Sequence, residues 1–581
     1  MPGMSNALYI EKEPPSAGAC AELSEYDTLT QRLLAARNIK TLQEAALFFD
    51  RNYEEGLHDP FLLPDMDTAV SRILQAIKEG EKIAIFSDYD CDGIPGGALL
   101  HDFFKMIGYT NFYNYIPHRH YEGYGMSTDS IDTILKEGAR LMITVDCGIT
   151  NLDEVAYAEG LGISVIVTDH HEPKEILPNA HAVINPKRKD SIYPFTGLCG
   201  TGVAFKLICG LLERGGFSIT KGQEKWLLDL VGIATIADMV PLIDENRIFA
   251  HYGLLVLRKG KRLGLSHLFR IMKIPLATVT EDDIGFMVAP RINAASRMGN
   301  PHDAFQLLIA SEEADAGAHA HTLDRINNER KGVVAAMVKE AKHMLSLRSG
   351  MGSVIVVGDP SWRPSLVGLV ANTLSEEYAR PVFVWGRDGN GILKGSCRSG
   401  GTSSVVTIME KAAHAFIEFG GHHMSGGFSV KEEYIHTLSS ELESARAELS
   451  LQGSEDVRSE LYEVDAILSL DEVTRSLAKT LDRFAPYGEG NTKPLFVFPC
   501  VTPSRVEIFG KQKAHTKILF KTNKGMITAI GFFSLPHEYA VPLQEEKPFD
   551  LIAHVEESFF MGRSELRLRI VAALPVSSPQ K

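Results

Sequence analysis

The chain has 581 residues, and its content of 44% hydrophobic and 23% charged residues is typical of globular domains with buried cores. As a soft prior, this length predicts about four domains of ordinary size. Lys and Arg number 59 against 74 Asp and Glu, a net charge of −15. This charge argues against a protein that coats nucleic acid non-specifically, although it is compatible with a local basic channel.

The seven cysteines contain no CxxC pair, so neither a zinc ribbon nor a disulfide framework is indicated. An odd number of thiols is typical of a reducing compartment, and we expect a cytoplasmic protein. The N-terminus lacks the basic start and apolar core of a signal peptide. Because no apolar run approaches the roughly 18 residues of a membrane span, we expect no membrane association.

Residues 1–80 are expected to form a helical N-terminal adapter. Apolar residues recur at helical spacing in 28–52 and in 66–78, on either side of the turn-rich segment DPFLLPDMD. We interpret this region as packing material without chemistry of its own.

A group of carboxylates follows in KIAIFSDYDCDG, residues 82–93. The apolar run that begins at Ile83 predicts a buried strand, and Asp88, Asp90 and Asp92 stand just beyond it. Three carboxylates at alternate positions repel one another, and such hard oxygen ligands suit Mg²⁺ or Mn²⁺. The alternative is an acidic turn with Gly93 in a left-handed conformation, and this stretch alone does not separate the two.

Short apolar strands alternate with helical stretches from residue 81 to about 330, which predicts βαβ units around a mainly parallel sheet. Three of the four clearest strands end in an aspartate, at Asp88, Asp146 and Asp169. An isolated aspartate at a strand end is usually a turn residue or a helix cap. Ligands of open parallel sheets bind beyond the carboxyl ends of the strands, so three such aspartates predict one shared crevice.

Two further segments carry groups that suit the same crevice. His170 and His171 follow Asp169, and neutral imidazole is a good ligand for Mn²⁺ or zinc, although a lone histidine pair is more often structural. Asp238 stands in the apolar run DLVGIATIADMVPL, where an unpaired buried carboxylate is costly. It therefore either accepts backbone hydrogen bonds as a cap or reaches the crevice.

The segment APRINAASRMGN, residues 289–300, places Arg291, Asn293 and Arg297 between small residues. Guanidinium groups match phosphate oxygens in a bidentate manner. A surface loop with salt bridges explains the same residues equally well.

The next 50 residues are rich in helix formers and predict a long connecting helix at 321–351, although two shorter helices fit as well. The helix would join a first domain at 81–320 to a smaller α/β domain at 352–455. In that domain, FGGHHMSGGFSV at 419–430 has clustered glycines, which permit close approach of backbone amides to a phosphate. Most glycine-rich loops are merely turns.

Residues 456–581 contain five predicted strands separated by turns, which suits an OB-type barrel, a fold that often binds single strands. The residues that would supply charge and stacking are Lys511, Lys513, Lys517, Phe520, Lys521, Arg567 and Arg569. Solvated sheet edges are the ordinary explanation for such residues.

Taken together, DYDCDG, VDCG, TDHH and TIADMVPL resemble the four signature motifs of the DHH phosphoesterase superfamily. Within it, the chain resembles the RecJ-type single-stranded-DNA exonucleases, through LHDPFLL, EGYG at 122–125, TGVAFKL at 201–207 and PRINAASR. The similarity covers nearly the whole chain after about residue 25. It implies the domain order given above, with a mainly parallel-sheet catalytic domain, a DHH-associated substrate-binding domain and a C-terminal OB-like barrel.

The resemblance also implies site residues and two divalent ions, Mn²⁺ or Mg²⁺. The metal ligands carried over are Asp88, Asp90, Asp92, Asp146, His170 and Asp238. Which of Asp88 and Asp90 is a direct ligand stays open. Asp146 would bridge the two ions, and His171 would contact the scissile phosphate. Arg119 and Arg297, like His171, would stabilise negative charge on the reacting group.

Substrate-binding residues follow from the same resemblance. The GGH-containing motif of the DHH-associated domain implies contacts to the DNA backbone from Ser396, Arg398, Gly421 and His422, and PRINAASR implies contacts from Arg291, Asn293 and Arg297.

The implied function is a two-metal exonuclease for single-stranded DNA, acting in the 5′ to 3′ direction in DNA repair and recombination. We expect a monomer with single-stranded DNA, a single-stranded-DNA-binding protein and a helicase as partners. The alternatives are a DHH phosphodiesterase for short oligonucleotides or cyclic dinucleotides and a non-catalytic replication scaffold. The first has little need of an adapter or a barrel, and the second often lacks metal ligands that are all present here.

The chain departs from the family pattern at three places. Trp362-Arg363-Pro364-Ser365 stands where WHPG is common, IPGG at 94–97 replaces a sequence that bears Thr or Ser, and His118 stands where Asn is common. Arg363 keeps a cation but not a titratable imidazole. None of the three changes removes an expected metal ligand.

Overall fold

The structure, a computed structural model, describes residues 9–348, 350–401, 403–451, 461–510, 513–560 and 563–576. The chain divides into two compact units. The first consists of Met1–His58, Met239–His251 and Glu460–Lys581, and the second of Asp59–Asp238 and Tyr252–Ser459. The expected domain boundary at 455–456 lies outside the described residues. No helix in the described ranges is both long and apolar enough to cross a membrane.

The second unit contains a five-stranded sheet in which all neighbouring strands are parallel. In spatial order its strands are Phe112–Tyr115, Ile83–Ser87, Leu141–Val145, Ser164–Thr168 and Ala182–Ile184. The central strands are apolar and buried along their whole length, as expected for a parallel sheet that is covered on both faces. The helices that accompany it are Met66–Glu79, Gly93–Met106, Thr128–Lys136, Leu152–Gly160, Gly200–Gly215 and Leu228–Ala237.

Backbone hydrogen bonds fix the aspartates at the ends of three strands to one edge of this sheet. The amide of Asp88 donates to the carbonyl of Val145 at 3.1 Å, and the amide of Asp146 donates to Thr168 at 3.0 Å. The amide of Asp169 continues the ladder to the outermost strand. The three carboxylates therefore leave the sheet at the same level, as the alternation of strands and helices predicted.

Further helices extend this unit beyond the parallel sheet. They are Leu263–Met272, Ala289–Met298, His302–Ile309 and the long helix Glu313–Ser346, with Asp244–Leu257 contributing to both units. The long helix is continuous, so the alternative of two shorter helices does not apply. Its last turns, around Met337, Ala341 and Leu345, enter an apolar core with Pro364–Tyr378.

A mixed five-stranded sheet forms the C-terminal part of the second unit. Its strands, in spatial order, are Phe416–Gly421, Ser425–Val430, Leu393–Arg398, Val382–Arg387 and Ile355–Gly358, and only the last two are parallel to each other. The helices Val405–Lys411 and Leu438–Leu451 share a core with this sheet. The glycine-rich hairpin of the sequence analysis thus lies at the open edge of the sheet.

The first unit is built on a seven-stranded sheet with the strands Ala466–Ile467, Phe496–Val501, Phe549–Phe560, Arg563–Leu574, Gly525–Gly531, His515–Thr522 and Arg505–Phe509. The N-terminal helices Ala17–Glu22, Thr28–Ala35, Leu42–Asp50 and Tyr53–Gly56 belong to the same unit, as does Arg475–Asp482. Leu33, Leu34 and Ala45 share one core with Phe496 and Phe520. Because Phe520 is fully buried there, the expectation that it stacks on a bound strand is wrong. Lys511, which was expected to supply charge, lies outside the described residues. In addition, the strand Tyr9–Glu11 pairs in parallel with Tyr462–Val464. The predicted fold class, an α/β multidomain chain that ends in a β domain, is confirmed.

A buried ion network stabilises the second unit around Arg262. Its Nε and Nη2 donate to the two carboxylate oxygens of Asp229 at 2.7 and 3.1 Å, and its Nη1 donates to Asp102 at 2.8 Å. Although burial lowers the pKa of Arg262, the two carboxylates outweigh that effect and raise it. The guanidinium therefore stays charged and connects three helices.

We expect Arg262→Met to lower the free energy of unfolding of the second unit by about 3–5 kcal/mol, because Asp229 would keep a buried charge without its partner. Differential scanning calorimetry measures the effect. Arg262→Met combined with Asp229→Leu and Asp102→Leu is the control and should recover much of the loss. An unchanged melting temperature for Arg262→Met alone would contradict the role of the network.

Candidate metal centre and substrate cleft

Asp90 closes the loop that follows the strand Ile83–Ser87. One carboxylate oxygen of Asp90 accepts hydrogen bonds from the amides of Asp92 at 2.8 Å and Gly93 at 3.1 Å. A Cβ atom at Gly93 would lie 2.5 Å from the carbonyl oxygen of Asp88. Gly93 is thus required for close backbone approach at the start of a helix, and the alternative of a left-handed Gly93 in an acidic turn is wrong.

The carboxylate of Asp92 is held by the N-terminus of the helix Gly200–Gly215. The amides of Gly200 and Thr201 donate to its two oxygens at 2.6 and 2.8 Å, and the Thr201 hydroxyl donates to its carbonyl at 2.6 Å. The positive end of a helix dipole favours a carboxylate here. The sequence analysis noted TGVAFKL as a family feature but missed this role. Small residues at the start of a helix were the available signal.

Asp146 occupies a left-handed backbone conformation with a φ of 61°. Such a conformation is uncommon outside glycine and asparagine, and it costs about 1 kcal/mol or more. It turns the side chain toward Asp88, Asp90 and the two histidines. A strained residue at the end of a central strand is a typical feature of a functional site.

Carboxylates from three separate segments surround the imidazole of His170. Its Nε2 atom lies 3.2 Å from Asp146, 3.6 Å from Asp238 and 3.7 Å from Asp92. The side chains form three groups of three, and within each group one ligand atom per residue lies within 4.8 Å of the others. The groups are Asp146 with both histidines, Asp92 with His170 and Asp238, and Asp88 with Asp90 and Asp146. Asp146 and His170 each belong to two of these groups, which suits two neighbouring cations.

The electrostatics of this centre fit bound cations. Burial and the neighbouring carboxylates raise the pKa values of Asp88 and Asp146 well above normal, and that of Asp238 to about 9. Burial lowers the pKa of His170, which keeps the imidazole neutral and able to donate a lone pair. Buried oxygens of Asp88 and Asp146 have no hydrogen-bond donor within the described residues. Oxygen-rich ligands with one imidazole suit Mn²⁺ or Mg²⁺.

Asp169 orients His171 and is a functional residue that the sequence analysis left without a role. Its Oδ1 atom accepts from the amides of His170 and His171 and lies 2.8 Å from the Nδ1 atom of His171. Although burial alone would lower the pKa of His171, the bond to Asp169 raises it. The Tyr124 hydroxyl lies 3.4 Å from the same Nδ1 atom. The half-exposed His171 ring is thus fixed and easily protonated.

A cleft of about 910 Å³ lies between the strand ends of the parallel sheet and the mixed sheet. One wall is formed by Tyr89 and residues 118–124, and the other by 361–365 and strands of the mixed sheet. Its cationic lining residues are Arg119, Arg363, Arg387 and Lys394, and Ser396 faces the same space. Tyr124 lines this cleft and also contacts His171, so the cleft borders the candidate metal centre.

Two of the predicted arginines, Arg119 and Arg297, lie near the acidic loop that carries Asp88 and Asp90. The Arg119 guanidinium lies 4.8 Å from the ring centre of Tyr89. Burial, together with Arg119 and Arg330, lowers the pKa of Arg297 to about 10. Arg297 also donates to the carbonyl of Ser365 at 2.9 Å, while the Ser365 hydroxyl donates back to the carbonyl of Arg297 at 2.8 Å. Mutually repelling cations of this kind are stabilised by an anion.

The other two residues of PRINAASR occupy internal positions. Arg291 donates to Asp324 of the long helix at 2.8 Å and to the carbonyl of Met287. Asn293 accepts from the amide of Cys91 at 2.9 Å, between two of the metal-centre aspartates. Asn293 thus supports the acidic loop, whereas Arg291 connects its own helix to the long helix.

The residues expected from the second domain are spread along two strands and a turn. Ser396 lines the cleft, while Arg398, two residues further on, donates to the neighbouring carbonyl of Cys397 at 2.8 Å. Gly421 has a φ of 143°, and the amide of His422 donates to Ser425 at 2.7 Å to close the hairpin. Here too the structure brings only part of the expected set to the cleft.

Gly200 packs directly against the central aspartate, because a Cβ atom there would lie 2.5 Å from the Cβ of Asp146 and 2.7 Å from its Oδ1. We expect Gly200→Ala to displace Asp146, to destabilise the fold by about 1–3 kcal/mol and to weaken Mn²⁺ binding. Gly202→Ala is the matched control, because its Cβ would meet its nearest neighbour at 3.6 Å. Isothermal titration with Mn²⁺ measures the difference, and equal Mn²⁺ affinities for the two variants would contradict the prediction.

Comparison with known families agrees with this geometry. The DHH family, N-terminal domain, matches residues 82–235, the DHHA1 domain matches 349–449 and the RecJ OB domain matches 464–572. These matches define the class: a protein with a DHH domain, a DHHA1 domain and a RecJ OB domain, in that order.

Individual relatives narrow the class further. The chain is 35% identical over 506 residues to the single-stranded-DNA-specific exonuclease RecJ of Bacillus subtilis, covering 87% of this chain and 63% of the relative. It is 31% identical to the enzyme of that name from Haemophilus influenzae, covering 94% and 96%. A crystal structure of RecJ in complex with Mn²⁺ from Thermus thermophilus matches with a TM-score of 0.79 at 26% identity, covering 97% and 78%. The chain belongs to the RecJ family of single-stranded-DNA-specific exonucleases.

Proposed function

We propose that this protein is a metal-dependent exonuclease that hydrolyses the phosphodiester bonds of single-stranded DNA. The observation that carries the proposal is the convergence of Asp92, Asp146, His170 and Asp238, which are far apart in the chain, on one centre beside a cationic cleft. Its relatives are named for this activity, and one of them is described in complex with Mn²⁺.

The proposed ligands of two Mn²⁺ or Mg²⁺ ions are Asp88, Asp90, Asp92, Asp146, His170 and Asp238. When bound, such a pair activates water and neutralises the negative charge that develops on the phosphodiester. Asp146, which belongs to two of the three ligand groups, is placed to be shared between them. Asp88 offers an oxygen without a donor, whereas one oxygen of Asp90 already accepts two amides. Both are proposed as ligands, and Asp88 has the carboxylate oxygen that is not already used in a hydrogen bond within the described residues.

The proposed roles of the remaining residues follow from their positions. His171, held by Asp169 and with a raised pKa, supplies a positively charged imidazole to the scissile phosphate. Arg119 and Arg297 stabilise the same charge. Ser396 contacts the strand in the cleft, and Arg398, Gly421 and His422 hold the mixed-sheet edge that faces the DNA backbone. Arg291 and Asn293 position the helix and loop behind the metal ligands.

The proposal is tested by a time course on single strands labelled at the 5′ or the 3′ end, with Mn²⁺, Mg²⁺ or EDTA. We expect mononucleotides from the 5′-labelled end first and no product in EDTA. Intact long strands together with cleaved dinucleotides would favour the small-substrate alternative. No hydrolysis despite measured Mn²⁺ binding would favour a non-catalytic scaffold.

We further propose a cytoplasmic monomer that acts in DNA repair and recombination together with a helicase and a single-stranded-DNA-binding protein. The free thiols of all seven cysteines support a reducing compartment. We propose that the cleft admits one strand only, so that duplex must be opened first, and this would require a helicase partner. Co-elution with each candidate partner in gel filtration tests the pairing.

A further inference from the structure

The cleft carries an aromatic side chain that the metal chemistry does not use. Tyr121 is 83% exposed, although it lies in the wall of the cleft beside Arg119. Its ring contacts that of His118 in a tilted arrangement, with centroids 4.5 Å apart and planes 33° apart. Single exposed aromatics are common on protein surfaces, so exposure alone carries no conclusion. The informative features are the position of Tyr121 in a cationic cleft and the contact of its ring with that of His118.

The segment that carries Tyr121 is held by several hydrogen bonds. Glu122 accepts from the Tyr115 hydroxyl and from the amide of His118, both at 2.6 Å. The amides of Tyr121 and Glu122 both donate to the carbonyl of His118, at 3.0 and 2.9 Å. Gly123 then takes a left-handed conformation with a φ of 85°. The exposed ring is therefore presented by a fixed turn, so little conformational entropy is lost when a ligand binds it.

We propose that the Tyr121–His118 pair, here called the ring platform, stacks with one nucleobase of the bound single strand. This inference rests on the proposed function and adds a base contact to it. Aromatic faces beside cationic groups are the usual means of holding a single strand without regard to sequence. Arg119 and Arg363 line the same cleft and would be available to contact the backbone of the bound strand.

The ring platform predicts a base-dependent contribution to affinity. Stacking of one base on an aromatic ring makes Tyr121→Ala bind a strand roughly 5- to 150-fold more weakly. Tyr121→Phe retains the ring face and should bind as the wild type does. Because the ring acts on binding and lies apart from the metal ligands, the effect should appear in KM, with kcat nearly unchanged.

The experiment measures anisotropy of a fluorescein-labelled mixed-sequence DNA strand in EDTA, followed by KM and kcat in Mn²⁺. Each variant is tested on the normal strand and on strands with one abasic residue at successive positions. We expect one abasic position at which the affinity of the wild type falls. At that position Tyr121→Ala should bind the abasic strand as tightly as it binds the normal strand. Tyr157→Ala, an exposed tyrosine on the helix Leu152–Gly160 that bonds Asp132, is the matched control and should leave every value unchanged.

Two results would overturn the ring platform. One is wild-type affinity for Tyr121→Ala on the normal strand. The other is the same fall in affinity from wild type to Tyr121→Ala on every abasic strand. That result would show that Tyr121 supports the turn or the backbone and contacts no base. Failure of the exonuclease proposal is a separate result, because the wild type would then degrade none of the strands in Mn²⁺.

Discussion

Asp146→Asn should reduce hydrolysis of single-stranded DNA by at least about 1,000-fold while leaving the fold intact. The carboxylate belongs to two of the three ligand groups and lies 3.2 Å from the Nε2 atom of His170. Asparagine has the same shape, and it tolerates the left-handed backbone that this position requires. Asp146→Ala should abolish activity too, but it adds strain at a φ of 61°.

The same substitution should stabilise the protein when metal is absent. Burial, Asp92, Asp90 and Asp88 together raise the pKa of Asp146, which means that its ionised form is unfavourable in the empty centre. A neutral amide removes that repulsion, so the melting temperature in EDTA should rise. Strand binding in EDTA should be largely retained, because the cationic residues of the cleft are untouched.

Fluorescence-monitored melting and single-turnover cleavage measure both effects. Asp153→Ala, which removes an exposed carboxylate on the helix Leu152–Gly160, is the control and should change neither. Near-normal turnover of Asp146→Asn with Mn²⁺ bound would refute the assignment of the metal centre. Lost activity together with a lower melting temperature in EDTA would instead indicate a structural role.

Removal of metal should make stability fall as pH rises. The pKa of Asp238 in the folded protein is about 9, far above the ordinary value of about 3.9. Between these values the folded state binds more protons than the unfolded state, so the free energy of unfolding decreases with increasing pH. The melting temperature in EDTA should therefore decline from about pH 6 to pH 9, within the range of this shift.

Saturating Mn²⁺ should reverse that trend, because a cation replaces the protons in the centre. At 100 times Kd, binding adds about 2.7 kcal/mol of stability. Asp238→Asn is the matched variant: its pH slope in EDTA should be shallower than that of the wild type, and its gain from Mn²⁺ smaller. Identical slopes for the two proteins would contradict the raised pKa of Asp238, and no gain from Mn²⁺ would contradict the metal centre.

The sequence predicted that several of these acidic side chains lie close together, because three of them follow strand ends. Asp88, Asp146 and Asp169 stand directly after apolar strands, and a parallel sheet brings such positions to one edge whatever the intervening helices contain. Asp238 was harder to interpret, since a carboxylate that follows an apolar helix has two explanations. The structure places it near His170, at 3.6 Å.

The supporting contacts were not predictable in the same way. The hydrogen bonds from Gly200 and Thr201 to Asp92 join residues more than 100 positions apart. Neither residue is of a type that signals chemistry. Arg291 shows the converse, because an arginine among small residues suits phosphate as well as it suits Asp324, and only the packing of the long helix decides. The ring platform was not predictable either, because the sequence does not show on which side of its turn Tyr121 lies.

The IPGG segment, which departs from the family pattern, has a local explanation. A Cβ atom at Gly96 would meet Val145 at 2.5 Å, and one at Gly97 would meet Ser87 at 2.7 Å. The helix Gly93–Met106 thus approaches the sheet more closely than larger residues would permit. Sequence alone indicated only that a side chain was missing.

The shared core of Leu33, Leu34 and Ala45 with Phe496 and Phe520 has a consequence for the order of events during synthesis. The N-terminal helices leave the ribosome first, yet the strands that cover them emerge more than 400 residues later. Domains generally fold as units during translation. We therefore expect the second unit to fold before the N-terminal helices can pack against the strands that carry Phe496 and Phe520. A nascent chain stalled before residue 490 should accordingly expose its first 50 residues to protease.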